Sequence, residues 1–514
     1  MITRRFDMRN RNLIAMMMTL LTPMMLFAQS VTGKVTSEAG DPLANANIVV
    51  VGTDMGTTSN DSGEFSLDLE AGNYTITATV IGFKPLSQEV TVADAVIDMA
   101  FALEMSVIEL SDVEVLASRA DEKTPVAYSM VTKEDMEVRL GSQDIPMVLN
   151  TTPSVYATQQ GGGAGDARIN VRGFNQRNVA VMINGVPQND MENGWVYWSN
   201  WDGVGDAAAS IQMQRGLSAV NLATPSIGGT MNIITDPAAF DKGGKYKQEF
   251  GAGGFLKTTL NYNTGLMMND KLALSGTLVR KTGDGIIDAT WTDAWAYYMG
   301  ATYAINDGHR VEAYIVGAPQ RHGQNLYKQN IATYSQELAG DIDGYDVSAF
   351  AEGAKFETEA GRTFNQNWGS VSSDYKGKQY WYMYGVGGLF DKGLRDRYSS
   401  DFLNERENFF HKPLMNINHF LTLTDKTRLS SVFYWSGGSG GGTGTYGSSF
   451  RKPAVEGQKW YRSSPWGWDW DAAIATNSDR VDTNFHPTEN RSKGILRNSI
   501  NRQNTYGVIS KLNH

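Results

Sequence analysis

The sequence predicts a mainly β protein with three parts: an N-terminal β-sandwich, a mixed α/β domain and an incomplete antiparallel transmembrane β-barrel. Three observations predict this class. Short strands and turns fill residues 29–104, short helices mix with strands over 125–237, and tight turns alternate with long loops across 238–514. No apolar run after residue 30 reaches the ~18 residues that indicate a membrane helix. Any membrane segments after residue 30 would therefore be strands.

The charge balance and the lack of cysteine exclude several classes of function. The 45 Lys and Arg against 55 Asp and Glu give a formal net charge of −10, whereas a nucleic-acid partner requires a concentrated basic face. Without Cys the chain has no disulfide, thiolate zinc site or Cys nucleophile. The His residues show no paired spacing, and neither HExxH nor a Ser/His/Asp arrangement occurs. We therefore expect no nucleic acid, no metal, no cofactor and no enzyme activity.

Residues 1–28 predict a cleaved secretory signal. Four arginines within the first eleven residues precede an apolar stretch over 13–27, and Ala28 offers a small residue for cleavage. A membrane anchor is the alternative, but this stretch is shorter than the ~20 residues that span a bilayer.

Residues 29–104 predict a small all-β sandwich, because short strands recur between turns at the spacing typical of that fold. The linker 105–124 follows. Within it polar and apolar residues alternate at Asp112, Val113, Glu114, Val115 and Leu116. Such a strand could add to the sheet edge of a partner protein, or it could be the last strand of the sandwich.

Residues 125–237 mix short helices and strands. Thr132 has the character of an N-cap, which predicts a helix that ends at Gly141, and a second short helix is predicted around 145–150. Strands are predicted at Ala167–Val171, Val179–Asn184, Ser210–Arg215 and Met231–Thr235.

Residues 238–514 have the pattern of a large antiparallel sheet, with apolar and polar residues alternating along each strand. Every second connection is a tight turn, at 269–270, 306–308 and 424–426, whereas the intervening connections are long, polar and Gly-rich. Outer-membrane barrels separate short turns from long loops in this way. A soluble sandwich has no reason to do so.

Four sequence blocks follow one another in the middle domain. They read DARINVRGFNQRN from Asp166, VMINGVPQNDMENGWVYWSNWDG from Val181, IQMQRGLSA from Ile211 and GGTMNIIT from Gly228. These blocks closely resemble the plug domain of TonB-dependent outer-membrane receptors. The turns at 61–65 and 71–74 make the first domain similar to a carboxypeptidase-regulatory-like domain. It has no zinc-ligand set and hence no expected peptidase activity.

The resemblance implies a barrel of about 22 strands that is occluded by the plug. It also implies that residues 112–116 are a TonB box, on which the periplasmic protein TonB pulls to open a path. We count only about eight barrel strands, and an eight-stranded barrel has an interior just filled by its own side chains. We therefore expect this chain to be the N-terminal part of a longer receptor.

Two arginines and two groups of aromatic residues are candidate site residues. In the resembled family, arginines placed like Arg172 and Arg215 pair with barrel carboxylates and lock the plug; a solvated plug surface is the alternative. The aromatic groups are candidates for stacking on a ringed ligand. They are Trp195, Tyr197, Trp198 and Trp201 in the plug and Trp466, Trp468 and Trp470 in a long external loop. Packing inside the plug or the loop is the alternative for each group.

The function that the resemblance implies is active import of a large, scarce nutrient through the outer membrane, energised by TonB. The partners would be TonB, outer-membrane lipid and a nutrient such as a ferric siderophore, a cobalamin-like cofactor or an oligosaccharide. The N-terminal domain and the TonB box would be periplasmic. Two alternatives remain: a receptor whose N-terminal domain signals to a periplasmic regulator, and a secreted all-β binding protein.

Overall fold

The computed structural model describes residues 29–103 and 126–514 apart from short gaps. The gaps are residues 39, 54, 81–82, 84, 94–96, 161–166, 217–225, 307, 328, 346–358, 373–374, 376, 382–392, 425, 448–449, 454–465, 479–482 and 485. The predicted signal at 1–28 and the predicted TonB box at 112–116 lie outside the described residues.

The N-terminal unit, which lies within residues 1–113, is a β-sandwich. Its strands are β1 (Gln29–Ser37), β2 (Asn47–Val50), β3 (Gly56–Thr58), β4 (Glu64–Leu69), β5 (Gly72–Thr79), β6 (Leu86–Val92) and β7 (Ile97–Leu103). One sheet has the order β4-β1-β7 and the other β3-β2-β5-β6. Every second residue of β4, such as Phe65 and Leu69, is buried in a core shared with Ile48 and Phe101. The predicted sandwich is confirmed.

The second unit begins with a mixed α/β domain. Its elements are β8 (Ala127–Thr132), α1 (Lys133–Arg139), β9 (Val155–Thr158), β10 (Arg168–Val171), β11 (Phe174–Asn175), β12 (Val179–Ile183), β13 (Val186–Pro187), α2 (Val204–Ala207), β14 (Ser210–Arg215) and β15 (Gly229–Ile234). Short 3-10 helices cover Ile145–Thr151, Gln176–Asn178, Trp198–Trp201 and Pro237–Ala239. The main sheet has the order β13-β12-β15-β14-β8, and a smaller sheet has the order β11-β10-β9.

Local signals explain most of these elements. The hydroxyl of Thr132 accepts a hydrogen bond from the Asp135 amide while the Asp135 carboxylate accepts one from the Thr132 amide, which closes a capping box at the start of α1. The predicted helices and strands agree with the observed bounds to within two residues.

The last part of the chain is dominated by long strands. They are β16 (Gly243–Gly251), β17 (Phe255–Met267), β18 (Leu272–Gly283), β19 (Thr292–Asn306), β20 (His309–Gly317), β21 (Gln320–Gly323), β22 (Trp368–Ser370), β23 (Lys378–Trp381), β24 (Gly393–Asp396), β25 (Phe402–Asn404), β26 (Glu407–His411), β27 (Leu414–Thr424), β28 (Thr427–Gly447), β29 (Arg451–Pro453), β30 (Trp466–Trp468) and β31 (Gly494–Asn513). The loops also contain α3 (Gln336–Gly340), α4 (Trp470–Ser478) and a 3-10 helix, Ile331–Thr333. Among the described residues, no helix is long and apolar enough to cross a membrane.

Ten of these strands form one antiparallel sheet. The sheet has eight rows, because two of the rows are each made of two consecutive strands. β20 continues into β21 and β26 continues into β27, and Pro319 and Pro413 lie at the two interruptions because proline has no amide hydrogen for the ladder. The order is therefore β16-β17-β18-β19-β20/β21-β26/β27-β28-β31. Among the described residues β16 and β31 each have one neighbour, so the sheet is an open part of a barrel, as predicted.

The two faces of the sheet differ as the sequence pattern predicts. In β27 the side chains of Asn416 and Asn418 are buried, whereas Met415 and Ile417 are 45% and 50% exposed. The Asn418 amide donates a hydrogen bond to the backbone carbonyl of Asn184 in the mixed domain, at 3.4 Å. The polar face therefore faces the mixed domain, and the apolar face is directed away from it.

Candidate functional site

Two carboxylates on one short segment of the mixed domain reach the long sheet. Asp202 follows the 3-10 helix Trp198–Trp201, and its Oδ2 lies 2.8 Å from Nζ of Lys281 in β18. Asp206 is in α2, and its Oδ2 lies 2.8 Å from Nζ of Lys257 in β17. Both lysine side chains are 4% exposed, so two buried ion pairs connect the domain to neighbouring strands.

Gly203, between Asp202 and Asp206, lets the backbone of the mixed domain come close to the long sheet. Its φ is 86°, and a Cβ at this position would lie 2.4 Å from Cβ of Ala296 in β19. Only glycine combines this backbone conformation with so close an approach. The tight contact holds Asp202 and Asp206 against the inner face of the sheet.

Helix α1 adds a second, more exposed set of contacts. Glu137 Oε2 lies 2.5 Å from Nζ of Lys245, with side chains 35% and 52% exposed, and Lys247 Nζ donates to the Glu137 carbonyl. Lys133 Nζ donates to the Asp206 carbonyl at 2.5 Å. Burial lowers the pKa of Lys133, and the carboxylates of Asp206 and Glu137 oppose that shift. Helix α1 follows β8, the first described strand after the linker.

The latch hypothesis for Arg172 and Arg215 stays a prediction, and the described contacts of both arginines lie within the mixed domain. Arg215 donates from Nη1 to the Pro153 carbonyl at 3.2 Å and from Nη2 to the Tyr128 carbonyl at 3.5 Å, both within the mixed domain. Arg172 is exposed and lies over Gly216. Among the described residues, no ion pair joins either arginine to a carboxylate of the long sheet. The ion pairs that do form have the opposite polarity, with acids on the mixed domain and lysines on the strands.

Sequence patterns did not reveal the ion pairs of Asp202, Asp206, Lys257 and Lys281, although strand alternation carried a signal for the two lysines. Lys281 falls on the same face of its strand as Ser275 and Thr277, the polar face of the predicted barrel. A lysine on that face points toward whatever fills the barrel.

A cavity of about 550 Å³ lies between the mixed domain and the sheet. Its size is within the range of about 300–1,000 Å³ that small-molecule sites occupy. Most of its lining groups are polar, with both signs of charge present. The lining residues are Arg168, Asp190, Glu192, Asn193, Tyr197, Ser199 and Asn200 on one side and Gln324, Leu326, Asn408, Phe410, Lys412, Gly441, Gly442, Asn501, Arg502 and Gln503 on the other.

The four aromatic residues predicted to contact a ligand from the mixed domain have different surroundings. Tyr197 is 42% exposed and lines the cavity. Trp195 lies between the guanidinium groups of Arg168 and Arg177, which are 4.9 and 4.6 Å from its ring. Trp198 and Trp201 are buried, at 2% and 1% exposed. Trp198 Nε1 donates to Gln176 Oε1 within the domain, and Nζ of Lys412 from the long sheet lies 5.6 Å from the Trp201 ring. A ligand role for Tyr197 stays the prediction that the geometry fits best.

The three tryptophans that were predicted to lie in a long loop form a hydrophobic core. Trp466, Trp468 and Trp470 are 7%, 2% and 6% exposed and pack with Val371 and Leu403. Trp470 Nε1 donates to the Leu403 carbonyl at 2.9 Å, and the rings of Trp468 and Trp470 stack at 5.3 Å. So little exposed surface fits the alternative of a loop core, and ligand stacking by these rings stays a prediction.

Comparisons with known protein families match two parts of the chain. Residues 31–115 match the CarboxypepD_reg-like domain, and residues 120–230 match the TonB-dependent Receptor Plug Domain. Residues 120–230 are the plug domain of a TonB-dependent receptor. The family expected from the four sequence blocks is therefore confirmed, together with the N-terminal carboxypeptidase-regulatory-like domain.

Several receptors are similar to this chain in sequence. It is 27% identical over 186 residues to the ferric enterobactin receptor of Pseudomonas aeruginosa, which covers 30% of this chain and 25% of that protein. It is 26% identical over 261 residues to TonB-dependent receptor P39 of Formosa agariphila, covering 49% and 23%. It is 37% identical over 112 residues to TonB-dependent receptor SusC of Bacteroides thetaiotaomicron, covering 21% and 10%. The chain thus spans about a quarter of the length of these relatives, or less.

Among solved structures, the chain is similar to the closed form of the ferric-catecholate import receptor Fiu of E. coli K12. The TM-score is 0.45 with 14% sequence identity, covering 68% of this chain and 42% of the other.

Proposed function

We propose that this chain acts in an active importer of a large, scarce nutrient across the outer membrane, energised by TonB at residues 112–116. The observation that carries the proposal is the polar interface between the plug and the long sheet. Two buried ion pairs, Asp202 with Lys281 and Asp206 with Lys257, hold the plug to adjacent strands. An importer needs such an interface, because the plug must block the barrel at rest and must be able to move when the nutrient passes.

The energetics support a need for external work. Breaking a buried ion pair by removing one partner typically costs about 3–5 kcal/mol. A plug held by two such pairs opens rarely by thermal motion alone. The outer membrane has no ATP, so mechanical pulling on the linker before β8 would be the source of the work.

The outer face of the sheet supports a location in outer-membrane lipid. Large apolar side chains are exposed there along several strands, as expected for a wall in contact with acyl chains. They include Leu260, Met299, Ile417, Phe433, Val508 and Leu512, each 47% exposed or more.

We infer that the nutrient binds in the cavity between the plug and the sheet. Amide groups, charges of both signs and the Tyr197 ring would suit a polar, ringed ligand. The ferric enterobactin receptor to which the chain is similar favours a ferric siderophore; a cobalamin-like cofactor and an oligosaccharide are the other candidates.

The test is growth of a strain lacking the gene, supplied with single iron or carbon sources. We expect one class of nutrient to fail to support growth, and the intact gene to restore it. Tyr197→Ala should raise the concentration needed for half-maximal growth by about two- to tenfold, since an aromatic contact is worth about 0.5–1.5 kcal/mol.

Tyr156→Ala is the matched control. This tyrosine is 64% exposed in the plug strand β9 and is not among the residues that line the cavity. Unimpaired growth of the deletion strain on every source would contradict import, and equal effects of the two tyrosine variants would contradict the ligand site.

A further inference from the structure

Two histidines on neighbouring barrel strands face each other with their ring nitrogens. Nε2 of His309 in β20 lies 2.8 Å from Nε2 of His419 in β27, and the rings meet edge to face. In the strand register Val311 pairs with His419 and His309 pairs with Leu421, so the two histidines are diagonal neighbours. Both side chains are partly exposed.

The pair lies on the face of the sheet that is directed away from the plug. Arg310 and Asn418, which alternate with the histidines, are buried on the plug side. His419 pairs with Ser431 and Ser431 with Ser510, and the two serine hydroxyls are 2.9 Å apart.

This polar row is flanked by two apolar rows. On one side lie Ile417, Phe433 and Val508, and on the other lie Leu421, Leu429 and Leu512. Polar groups on an apolar, lipid-facing wall cost stability unless they are satisfied. The two serine hydroxyls form a hydrogen bond with each other, and the Nε2 atoms of the two histidines lie within hydrogen-bonding distance.

The nitrogen geometry fits a shared cation. When both rings are neutral, one Nε2 donates its hydrogen and the other accepts it, so a single proton lies between the two atoms. A metal ion can replace that proton. Two nitrogens that bind a tetrahedral ion at about 2.0–2.1 Å are roughly 3.3 Å apart, so the rings would need to separate by only about 0.5 Å.

We propose that His309 and His419 form a binding site for a divalent transition-metal ion, Zn²⁺ or Cu²⁺, on the outer wall of the barrel. Imidazole nitrogen is a preferred ligand of both ions. Among the described residues no third His, Cys, Asp or Glu completes a metal-binding group. His309 is the first residue of β20, at the turn end of the wall, so water at that edge fills the remaining positions and the ion exchanges readily.

The bound ion would join two strands that are far apart in the sequence. β20 and β27 are paired in the sheet but are separated by residues 318–413 in the sequence. This is the longest stretch of chain between two paired strands of the sheet. A clip across a long connection restricts the unfolded chain strongly and ties metal binding to folding. The site would therefore stabilise the outer wall.

The test is titration of the full chain in detergent with ZnCl₂ in a chelator-free buffer, followed by calorimetry. We expect one Zn²⁺ per chain, and a decrease in affinity of at least about tenfold for both His309→Gln and His419→Gln, since even second-shell losses cost 10–100-fold. His486→Gln is the control, because His486 lies in a loop where its ring accepts a hydrogen bond from the Glu489 amide. This control should bind Zn²⁺ like the unaltered chain.

A second measurement decides the matter if a histidine variant fails to fold. Electron paramagnetic resonance of Cu²⁺ added to the unaltered chain should show coupling to two imidazole nitrogens. Zn²⁺ should also raise the unfolding temperature of the unaltered chain but not that of His419→Gln. Unchanged Zn²⁺ affinity in both His→Gln variants, or Cu²⁺ without two-nitrogen coupling, would overturn the proposal.

Discussion

At the scale of single residues, the buried lysines of the barrel strands matter most. Lys257 lies 2.8 Å from Asp206 and 3.5 Å from Glu249, and its side chain is 4% exposed. A lysine in this environment keeps its charge only because acids surround it. Its alternation with apolar outward residues predicts that it faces inward. Its partner could not be predicted, because a contact between residues 51 positions apart depends on the tertiary fold.

We predict that Asp206→Asn lowers the free energy of unfolding of the plug by about 3–5 kcal/mol, because the variant leaves the Lys257 ammonium without its closest counter-charge. Thermal or urea unfolding of the purified receptor measures this change.

The double variant Asp206→Asn with Lys257→Met should lose much less stability than Asp206→Asn alone, because it leaves no uncompensated charge. Glu137→Gln is the control for a surface pair and should change stability by about 0–1 kcal/mol. A double variant as unstable as the sum of both single variants would argue against a coupled pair.

At the scale of structural elements, the turns and helix ends could be predicted because they depend on the chemistry of a few adjacent residues. Asn269 and Asp270 have φ of 56° and 61° in the turn between β17 and β18, a conformation that Asn and Asp tolerate. The sequence patterns did not reveal β8, since its role as an edge strand of the plug sheet depends on pairing with β14, more than 70 residues later. For the loop that contains three tryptophans, the sequence allowed either a loop core or a ligand-binding surface. Periodicity cannot distinguish the two, because both use aromatic residues at similar spacing.

We predict that Trp468→Ala unfolds this loop, because the ring is 2% exposed, packs edge to face against Trp466 and stacks on Trp470. Large-to-small changes of a buried Trp cost about 3–5 kcal/mol. Limited proteolysis of intact cells should cleave the loop of this variant much faster than that of the unaltered receptor.

Tyr446→Ala is the control for this substitution, since Tyr446 is a 65% exposed aromatic residue of β28. It should leave the cleavage rate unchanged. Equal protease resistance of Trp468→Ala and the unaltered receptor would return the tryptophans to a binding role.

At the scale of the whole molecule, the alternation of short and long connections predicted the barrel, and the four sequence blocks predicted the plug. Both predictions hold because each depends on local chemistry: turn residues, strand alternation and motif glycines. The interface between plug and barrel could not be predicted, because it brings together Asp202 and Lys281, which are 79 positions apart. That interface holds the plug against the sheet through two buried ion pairs.

We predict that residues 112–116 transmit mechanical work to the plug as a strand added to the sheet of TonB. Val115→Pro removes a backbone donor from that strand and prevents regular pairing, whereas Val115→Ile keeps both the donor and the β-branched side chain. Residue 115 lies outside the sequence ranges of the plug strands, the cavity lining and the barrel strands. Ligand binding and transport should therefore separate in the proline variant alone.

The most direct test measures binding and uptake of the labelled nutrient in a deletion strain that carries the full receptor. The nutrient is the one that the growth experiment identifies. We expect the Val115→Pro receptor to bind the nutrient with unaltered affinity but to give no uptake above the deletion strain. The Val115→Ile receptor should both bind the nutrient and take it up. Uptake by the Val115→Pro receptor at the unaltered rate would contradict energy coupling through this segment.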